Sequence, residues 1–236
     1  RLVFSSYGVG ARPVFQTGTA TVIEFSNNPG ITVSRNIAIL GLDFYLDSFD
    51  PGGTSAQNIL FPGNFENILI ENCRFRSADY GITMGVLGPF TRKDLVIRRN
   101  VFQDGYVNFI RLIATNGVLI EENHFDNLVV TSGGSGNVNF LYAKSIEGWN
   151  GAINTEVRGN TFTNYGNRAI WLASGGIVRG NVIVAGSCGI QIGNSYGTHE
   201  QSYPFGNVSA MVGGLQLCDV VGNYIGEGKN ITAVNG

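Results

Sequence analysis

Short runs of alternating apolar and polar residues recur along the chain, and they align as nine-residue blocks with aliphatic or small residues at the second and fourth positions. Such alternation indicates β-strands that bury one face. The blocks recur every 21 to 42 residues, which predicts a solenoid whose shortest coils carry loops of variable length. The blocks are NIAILGLDF (36–44), NILIENCRF (67–75), DLVIRRNVF (94–102), GVLIEENHF (117–125), NTEVRGNTF (154–162), GGIVRGNVI (175–183) and LCDVVGNYI (217–225).

Asparagine occupies the seventh position of most blocks, where Leu42 and Cys73 stand in the first two. Side-chain amides stacked at the strand spacing of ~4.8 Å can hydrogen-bond from coil to coil and tolerate the left-handed backbone of a turn. We therefore predict a parallel β-helix with one stack of asparagines at a turn and one stack of phenylalanines inside. A leucine-rich horseshoe is disfavoured because the repeat lacks a leucine consensus and helical periodicity. The predicted stacks are Asn100, Asn123, Asn160, Asn181 and Asn223, and Phe75, Phe102, Phe125 and Phe162.

Composition agrees with a turn-rich all-β protein. The chain has 34 glycines, 14% charged residues and 11% aromatic residues, and one continuous repeat predicts one elongated domain over residues 1–236. The net charge of −2 provides no electrostatic footprint for nucleic acid. No apolar run approaches the ~18 residues of a membrane span, so we expect neither a nucleic-acid partner nor membrane insertion.

A second strand follows each block and identifies a candidate functional face. The segments YGITMG, NFIRLI, NFLYAK, RAIWLA and CGIQIG alternate so that Ile82, Ile110 and Ile170 point inward. Aromatic and long polar side chains in an outward row suit sugar rings, because aromatic faces stack on the rings and polar groups bond the hydroxyls. The alternative is that Tyr142 and Trp171 lie under covering loops as a satellite core. The predicted outward row is Thr83, Arg111, Tyr142, Trp171 and Gln191.

Long insertions flank this second strand and would form walls beside it, as functional loops do. The longest, residues 194–216, contains His199 and Glu200, and residues 145–151 contain Glu147. His199 could reach a ligand as an acid or base, whereas solvated loop residues are the plainer interpretation. Cysteines and histidines show no metal-ligand spacing, so we predict no metal site and no cofactor. The three cysteines fit buried small residues, with a Cys188–Cys218 disulfide as the alternative.

Two segments carry a family resemblance. SSYGVGARPVF (5–15), followed by NIAILGLDFY (36–45), resembles secreted bacterial right-handed parallel β-helix proteins of the pectate-lyase-like superfamily. The resemblance implies a single-stranded right-handed helix of about seven to eight coils and a secreted, extracellular or cell-surface location. We interpret the chain as part of a longer precursor because Arg1 already lies in a strand-like segment.

A narrower likeness concerns possible catalysis. GNVNFLYAKS (136–145) is similar to an alginate and chondroitin lyase segment that ends in a catalytic Lys-Ser, which places Lys144 on the family lysine. Asn137 and Asn139 stand where those enzymes often have calcium-binding glutamates. Ala173 stands where the next coil would carry a partner arginine. Calcium is therefore not supported by a clear ligand set.

The residues themselves suit elimination from a uronate better than hydrolysis. Elimination needs a cation for the carboxylate, a base for the neighbouring C–H and an acid for the departing oxygen. Arg111 could neutralise the carboxylate, Lys144 or Tyr142 could act as the base, and Tyr142 or His199 could act as the acid. One coil and two residues separate Arg111 from Lys144, roughly 8 Å between Cα atoms. Hydrolysis would require paired carboxylates, and only Glu147 and Glu200 in the loops could supply them.

Two functions follow from different protein classes. The first is a lyase acting on an acidic polysaccharide, and the second is a noncatalytic glycan-binding or surface-structural β-helix, such as a filament component. The ends lead to a separate expectation, since a solenoid end exposes unpaired backbone and apolar side chains. We expect further polypeptide, self-association or another subunit to cover at least one end.

Overall fold

The computed structural model describes residues 1–25, 33–48, 56–84, 92–128, 139–143, 152–164, 168–172, 176–184, 188–192, 219–221, 224–225 and 231–233. All regular elements in these residues are β-strands. The first twelve are β1 (Leu2–Ser5), β2 (Val14–Gln16), β3 (Ile23–Glu24), β4 (Ser34–Leu40), β5 (Asp43–Tyr45), β6 (Gln57–Phe61), β7 (Phe65–Glu71), β8 (Arg74–Arg76), β9 (Tyr80–Met84), β10 (Arg92–Arg98), β11 (Val101–Gly105) and β12 (Asn108–Leu112). The next twelve are β13 (Thr115–Glu121), β14 (His124–Leu128), β15 (Asn139–Ala143), β16 (Ile153–Arg158), β17 (Thr161–Thr163), β18 (Arg168–Leu172), β19 (Ile177–Arg179), β20 (Val182–Val184), β21 (Cys188–Ile192), β22 (Asp219–Val221), β23 (Tyr224–Ile225) and β24 (Ile231–Ala233).

The strands form three all-parallel sheets that the chain visits in turn. Sheet A has the order β1-β4-β7-β10-β13-β16-β19-β22, sheet B the order β2-β5-β8-β11-β14-β17-β20-β23, and sheet C the order β3-β6-β9-β12-β15-β18-β21-β24. Every third strand therefore returns to the same sheet beside its predecessor. This arrangement confirms the all-β prediction and is compatible with a parallel β-helix.

The asparagine ladder, Asn100, Asn123, Asn160 and Asn181, lies buried between sheets A and B. Asn100 Nδ2 donates to Asn123 Oδ1 at 3.0 Å, and the same bond joins Asn123 to Asn160 and Asn160 to Asn181. Each amide also donates to a backbone carbonyl one coil back, such as Ile70 O for Asn100. The predicted ladder is confirmed over these four residues, and Asn223 lies outside the described residues.

The left-handed backbone of this turn belongs to the residue before each ladder asparagine. Arg99 and Glu122 have φ of 55° and 54°, and Gly159 and Gly180 both have φ of 61°. The expectation that asparagine itself would adopt this conformation is therefore wrong. The side-chain amide of each ladder asparagine instead points along the stack, where it forms hydrogen bonds with buried backbone groups.

The predicted phenylalanine stack is confirmed inside the fold. Neighbouring rings of Phe75, Phe102, Phe125 and Phe162 lie 4.7 Å apart at nearly parallel angles. Phe44 continues the stack at 5.0 Å from Phe75. In the first coil, Phe15 lies 5.8 Å from Phe44 and is 41% exposed. This exposed apolar surface is compatible with a covering partner, which stays a prediction.

The outer face of sheet A carries a row of ion pairs that joins successive coils. Arg98 bridges Glu71 at 3.0 Å and Glu121 at 3.8 Å, and Arg158 contacts the other oxygen of Glu121 at 2.7 Å. Arg158 also contacts Glu156 at 3.2 Å. Partly exposed pairs stabilise a fold only weakly, but these pairs occupy most of the guanidinium groups on that face. The face therefore has few cations available for a ligand.

Cys73 offers a test of how the ladder ends. Its sulfur contacts Ile39 O at 3.6 Å, the carbonyl that corresponds to Ile70 O for Asn100. Burial raises the pKa of Cys73 to about 11, so the residue stays a neutral thiol. Cys73→Asn should extend the ladder by one amide and raise the free energy of unfolding by about 1 kcal/mol, measured by urea denaturation. Cys73→Ser, which cannot bridge two coils, is the control, and a loss of stability in Cys73→Asn would contradict the ladder geometry.

Candidate functional site

The outer column of sheet C has the register that the sequence predicted. Arg111 pairs with Thr83 on one side and with Tyr142 on the other, and Trp171 lies between Tyr142 and Gln191. The alternating residues Ile82, Ile110, Leu112, Ile170, Leu172 and Ile190 are buried in the main core. Thr83, Arg111, Tyr142, Trp171 and Gln191 therefore form one continuous row, the outer column.

Burial within this column differs from the expected open surface. Trp171 is 0% exposed and Thr83 is 2% exposed, so neither presents a surface to a ligand. Trp171 is nevertheless outside the main core cluster that contains its neighbours Ile170 and Leu172. The prediction of an exposed indole is wrong, and the satellite-core alternative fits its burial. The physical reason is that an indole gains more from withdrawal from water than most side chains do.

Arg111 is the half-buried cation of the column. Its Nε is buried and has no hydrogen-bond acceptor, and no described carboxylate forms an ion pair with it. Its guanidinium lies over the ring of Tyr80, with Cζ 5.4 Å from the ring centroid. Withdrawing a cation from water without an anion is unfavourable. Arg111 is therefore a candidate to bind an anionic ligand through the part of its side chain that remains exposed.

Other described arginines show how unusual this is. Arg158 is bound by Glu121, and Arg76 is bound by Asp43. Arg92, fully buried, donates to the carbonyls of Gly63, Ile113 and Pro62 at 2.9 to 3.0 Å. Its burial lowers its pKa to about 10, and the three bonds hold the turn between sheets C and A. The other half-buried arginines among the described residues each have at least one side-chain acceptor, although the Nε of Arg98 lacks one as that of Arg111 does.

Tyr80 is a site residue that the sequence did not reveal. It begins β9, and its N–H donates to Ala56 O at 3.1 Å. The preceding residue, Asp79, is buried and accepts the N–H of Ala56 at 2.9 Å, while burial raises its pKa. Tyr80 is aligned with Asn108, three positions before Arg111. Its contact with Arg111 therefore runs diagonally between two adjacent coils. Alternation within one strand gives no signal for such a contact.

The other predicted site residues have only a backbone position or lie outside the described residues, so their roles stay predictions. Tyr142 and Gln191 are placed in the column by backbone pairing alone. Lys144, Glu147, His199 and Glu200 lie outside the described residues. The column thus brings Arg111 and Tyr142 to adjacent positions, and the loop residues proposed as acid or base are not located.

A groove of about 560 Å³ lies on the outer face of sheet A. The apolar residues Leu69 and Val96 and the polar residues Asn67 and Arg98 are among those that line it. No predicted site residue lies there, and Arg98 is already paired with two glutamates. Among the described residues, the half-buried arginine with no hydrogen-bond acceptor is Arg111, on sheet C.

The described residues contain no group of three or more histidine, cysteine, aspartate or glutamate side chains that could hold a metal ion. No helix capable of spanning a membrane occurs among the same residues. Comparisons of the chain with known protein families, curated proteins and solved structures found no match. Its own residues must therefore supply the functional argument.

Proposed function

We propose that the chain is a secreted or cell-surface right-handed β-helix of about seven to eight coils, related to the pectate-lyase-like superfamily. In this proposal it binds an acidic, uronate-containing polysaccharide along the outer column of sheet C. The observation that carries the proposal is Arg111, a half-buried guanidinium whose Nε has no acceptor in the described part of the protein. A uronate carboxylate is the group on a sugar that a guanidinium binds best.

The reaction that suits this column is β-elimination. Arg111 would neutralise the uronate carboxylate and thereby acidify the proton on C5. Lys144 or Tyr142 would remove that proton, the C4–O bond would break with formation of a C4–C5 double bond, and Tyr142 or His199 would protonate the departing oxygen. Tyr142 is aligned with Arg111 in the adjacent strand, which supports a role for both residues on one sugar.

A noncatalytic glycan-binding or surface-structural role is the second candidate. The burial of Thr83 and Trp171 favours it, because burial shortens the accessible part of the column. A lyase needs several groups arranged around one sugar ring, whereas a binding protein needs only an anion contact and a few hydrogen bonds. Binding and cleavage must therefore be measured separately.

The test uses alginate, pectate and glycosaminoglycans as candidate ligands. Cleavage is followed by the ultraviolet absorbance of the new conjugated double bond, and binding by calorimetry. Arg111→Ala should reduce both cleavage and affinity by at least about tenfold, the loss expected for a charge-assisted bond of about 1.5 kcal/mol. Arg35→Ala, which removes an exposed arginine from sheet A, is the matched control.

The outcomes separate the two candidates. Binding that depends on Arg111 without absorbance change would select the noncatalytic role. Acidic-glycan binding that is unchanged in Arg111→Ala would contradict the site. If none of the acidic polymers binds, the proposed function is wrong.

A further inference from the structure

Asp79, at the turn between sheets B and C, forms a bond of the same kind as the asparagine ladder at the turn between sheets A and B. Asp79 Oδ2 accepts the N–H of Ala56 at 2.9 Å, and Asn100 Oδ1 accepts the N–H of Cys73 at 2.8 Å. In both cases the N–H belongs to the residue at the same position one coil back. Asp79 is therefore the counterpart of a ladder asparagine in a second turn.

The two turns differ in the other polar atom of the side chain. Asn100 Nδ2 donates to the carbonyl of Ile70 at 3.0 Å, whereas Asp79 Oδ1 is buried and no described group donates to it. Gln57 and Asn58, which follow Ala56, also have buried side-chain oxygens without a donor. The turn thus has more buried acceptors than donors, and an ionised Asp79 would add a buried charge, which is unfavourable.

We infer that Asp79 is a pH-sensitive switch that stabilises the turn between sheets B and C when its carboxyl group is protonated. A proton on Oδ1 gives the side chain one acceptor and one donor, the two functions that an asparagine amide supplies in the ladder. Ionisation removes the donor and leaves the charge. This role is separate from the proposed function and does not depend on it.

The direction of the pH dependence follows from the burial of Asp79, which raises its pKa above the ordinary value of 3.8, while the bond from Ala56 opposes this rise. A carboxyl group whose pKa is higher in the folded chain contributes its full stability below the unfolded pKa. This contribution is lost as the pH rises through the folded pKa. Other titratable side chains on the neighbouring elements are not among the causes of the shift. They are Asp47 in the preceding coil, Tyr80 beside Asp79, and Asp104, Tyr106 and Arg111 in the following coil.

Asp79 also joins three successive coils through its backbone. Its carbonyl accepts the N–H groups of Val107 and Asn108 from the following coil, at 3.1 and 2.9 Å. The next residue, Tyr80, donates its N–H to Ala56 O at 3.1 Å. Ionisation of Asp79 therefore acts on the beginnings of β9 and β12 together, and both strands belong to the sheet that carries the outer column.

The test is urea denaturation of the wild type and of Asp79→Asn from about pH 3.5 to about pH 7.5. Asparagine keeps an acceptor for Ala56 and supplies a donor at every pH. Relative to Asp79→Asn, the wild type should lose stability as the pH rises, by about tenfold in its folding equilibrium constant for each unit by which folding raises the pKa. An NMR titration of the Asp79 carboxyl carbon in the folded wild type, which needs no variant, should give a pKa above 3.8.

Asp47→Asn is a control in which the sign is reversed. Asp47 is exposed, and bonds from the side chain of Gln16 and then from the N–H of Gly18 hold its pKa below 3.8. A lowered pKa contributes stability that is present above the unfolded pKa and is lost as the pH falls through the folded pKa. The wild type should therefore lose stability relative to Asp47→Asn towards acid, and not towards neutral pH.

Amide hydrogen exchange locates the effect in the fold. At about pH 7.5 the amides of Tyr80 and Asn108 should exchange faster in the wild type than in Asp79→Asn, and at about pH 3.5 the two proteins should match. A constant stability difference between these two proteins over the whole range would overturn the inference, as would an Asp79 pKa at or below its ordinary value. A pH-dependent difference with equal exchange at Tyr80 and Asn108 would show that the switch does not act in this turn. No glycan is used, so these results do not depend on whether the proposed function is correct.

Discussion

Trp171→Ala is expected to lower the free energy of unfolding by about 3 to 5 kcal/mol, the range for removal of a fully buried large aromatic side chain. Trp171 has no exposed surface, and truncation to alanine would leave a cavity beside a central strand of sheet C. Urea denaturation followed by far-ultraviolet circular dichroism measures this loss. Leu172→Ala, one residue along and inside the main core, should cost about 2 to 5 kcal/mol and provides the scale.

The control for Trp171 is Tyr7→Ala, which removes a fully exposed aromatic residue and should change stability by less than about 0.5 kcal/mol. If Trp171→Ala were as mild as Tyr7→Ala and reduced glycan binding, the indole would be a surface contact after all. If it is strongly destabilising, any loss of binding in this variant reports on the fold and not on sugar stacking. Arg111 is then the informative position for ligand recognition.

Alignment of the repeats was sufficient to predict the register of the nine-residue blocks and of the second strands from Tyr80 to Ile192. The aligned phenylalanines and asparagines each have to stack on the same residue type one coil away, and a shift by one position would turn every buried side chain outward. The pairing of Phe102 with Phe75 and Phe125 therefore follows from the sequence. The outer column was predictable for the same reason. Arg111 lies between Ile110 and Leu112 in one strand, so its side chain must lie on the face opposite to those two buried residues.

Solvent exposure along that column was not predictable from alternation. A period of two determines the side of the strand on which a residue lies, but not what covers that side. Thr83, Arg111 and Trp171 share one column, yet their exposure ranges from none to partial. The diagonal contact between Tyr80 and Arg111 also depends on side-chain direction across two coils, which alignment of blocks does not specify.

In the turn between sheets A and B, the ladder was also predictable from the sequence, but the left-handed backbone beside it was not. Asparagine in the seventh position predicted the ladder, but the left-handed residue before that position varies: it is Asn72 before Cys73, and Arg99, Glu122 and Gly159 before ladder asparagines. Arginine and glutamate have no preference for that conformation, so local propensity could not identify it. The fold imposes this backbone because the ladder amides satisfy the neighbouring buried groups. The ladder must then carry much of the stability of the turn.

Asn160→Ala tests that conclusion and is expected to lower the free energy of unfolding by about 3 kcal/mol, since it removes several buried bonds and leaves partners unsatisfied. Asn160 Oδ1 accepts both the backbone N–H and the side-chain amide of Asn123, each at 2.9 Å. Its Nδ2 donates to Ile120 O and to Asn181 Oδ1 at 3.0 Å. Alanine fills none of these roles, and water cannot readily reach the buried groups.

Two further variants separate the ladder from asparagine content in general. Asn116 is exposed and accepts one bond from Asn154, so Asn116→Ala should change stability by less than about 0.5 kcal/mol in the same urea experiment. Asn160→Asp keeps the acceptor but places an oxygen against Ile120 O and Asn181 Oδ1, so it should also destabilise the fold at neutral pH. Equal stability of Asn160→Ala and Asn116→Ala would contradict the ladder's role. A large loss in both Asn160 variants, with none in Asn116→Ala, would show that the amide donors hold successive coils together.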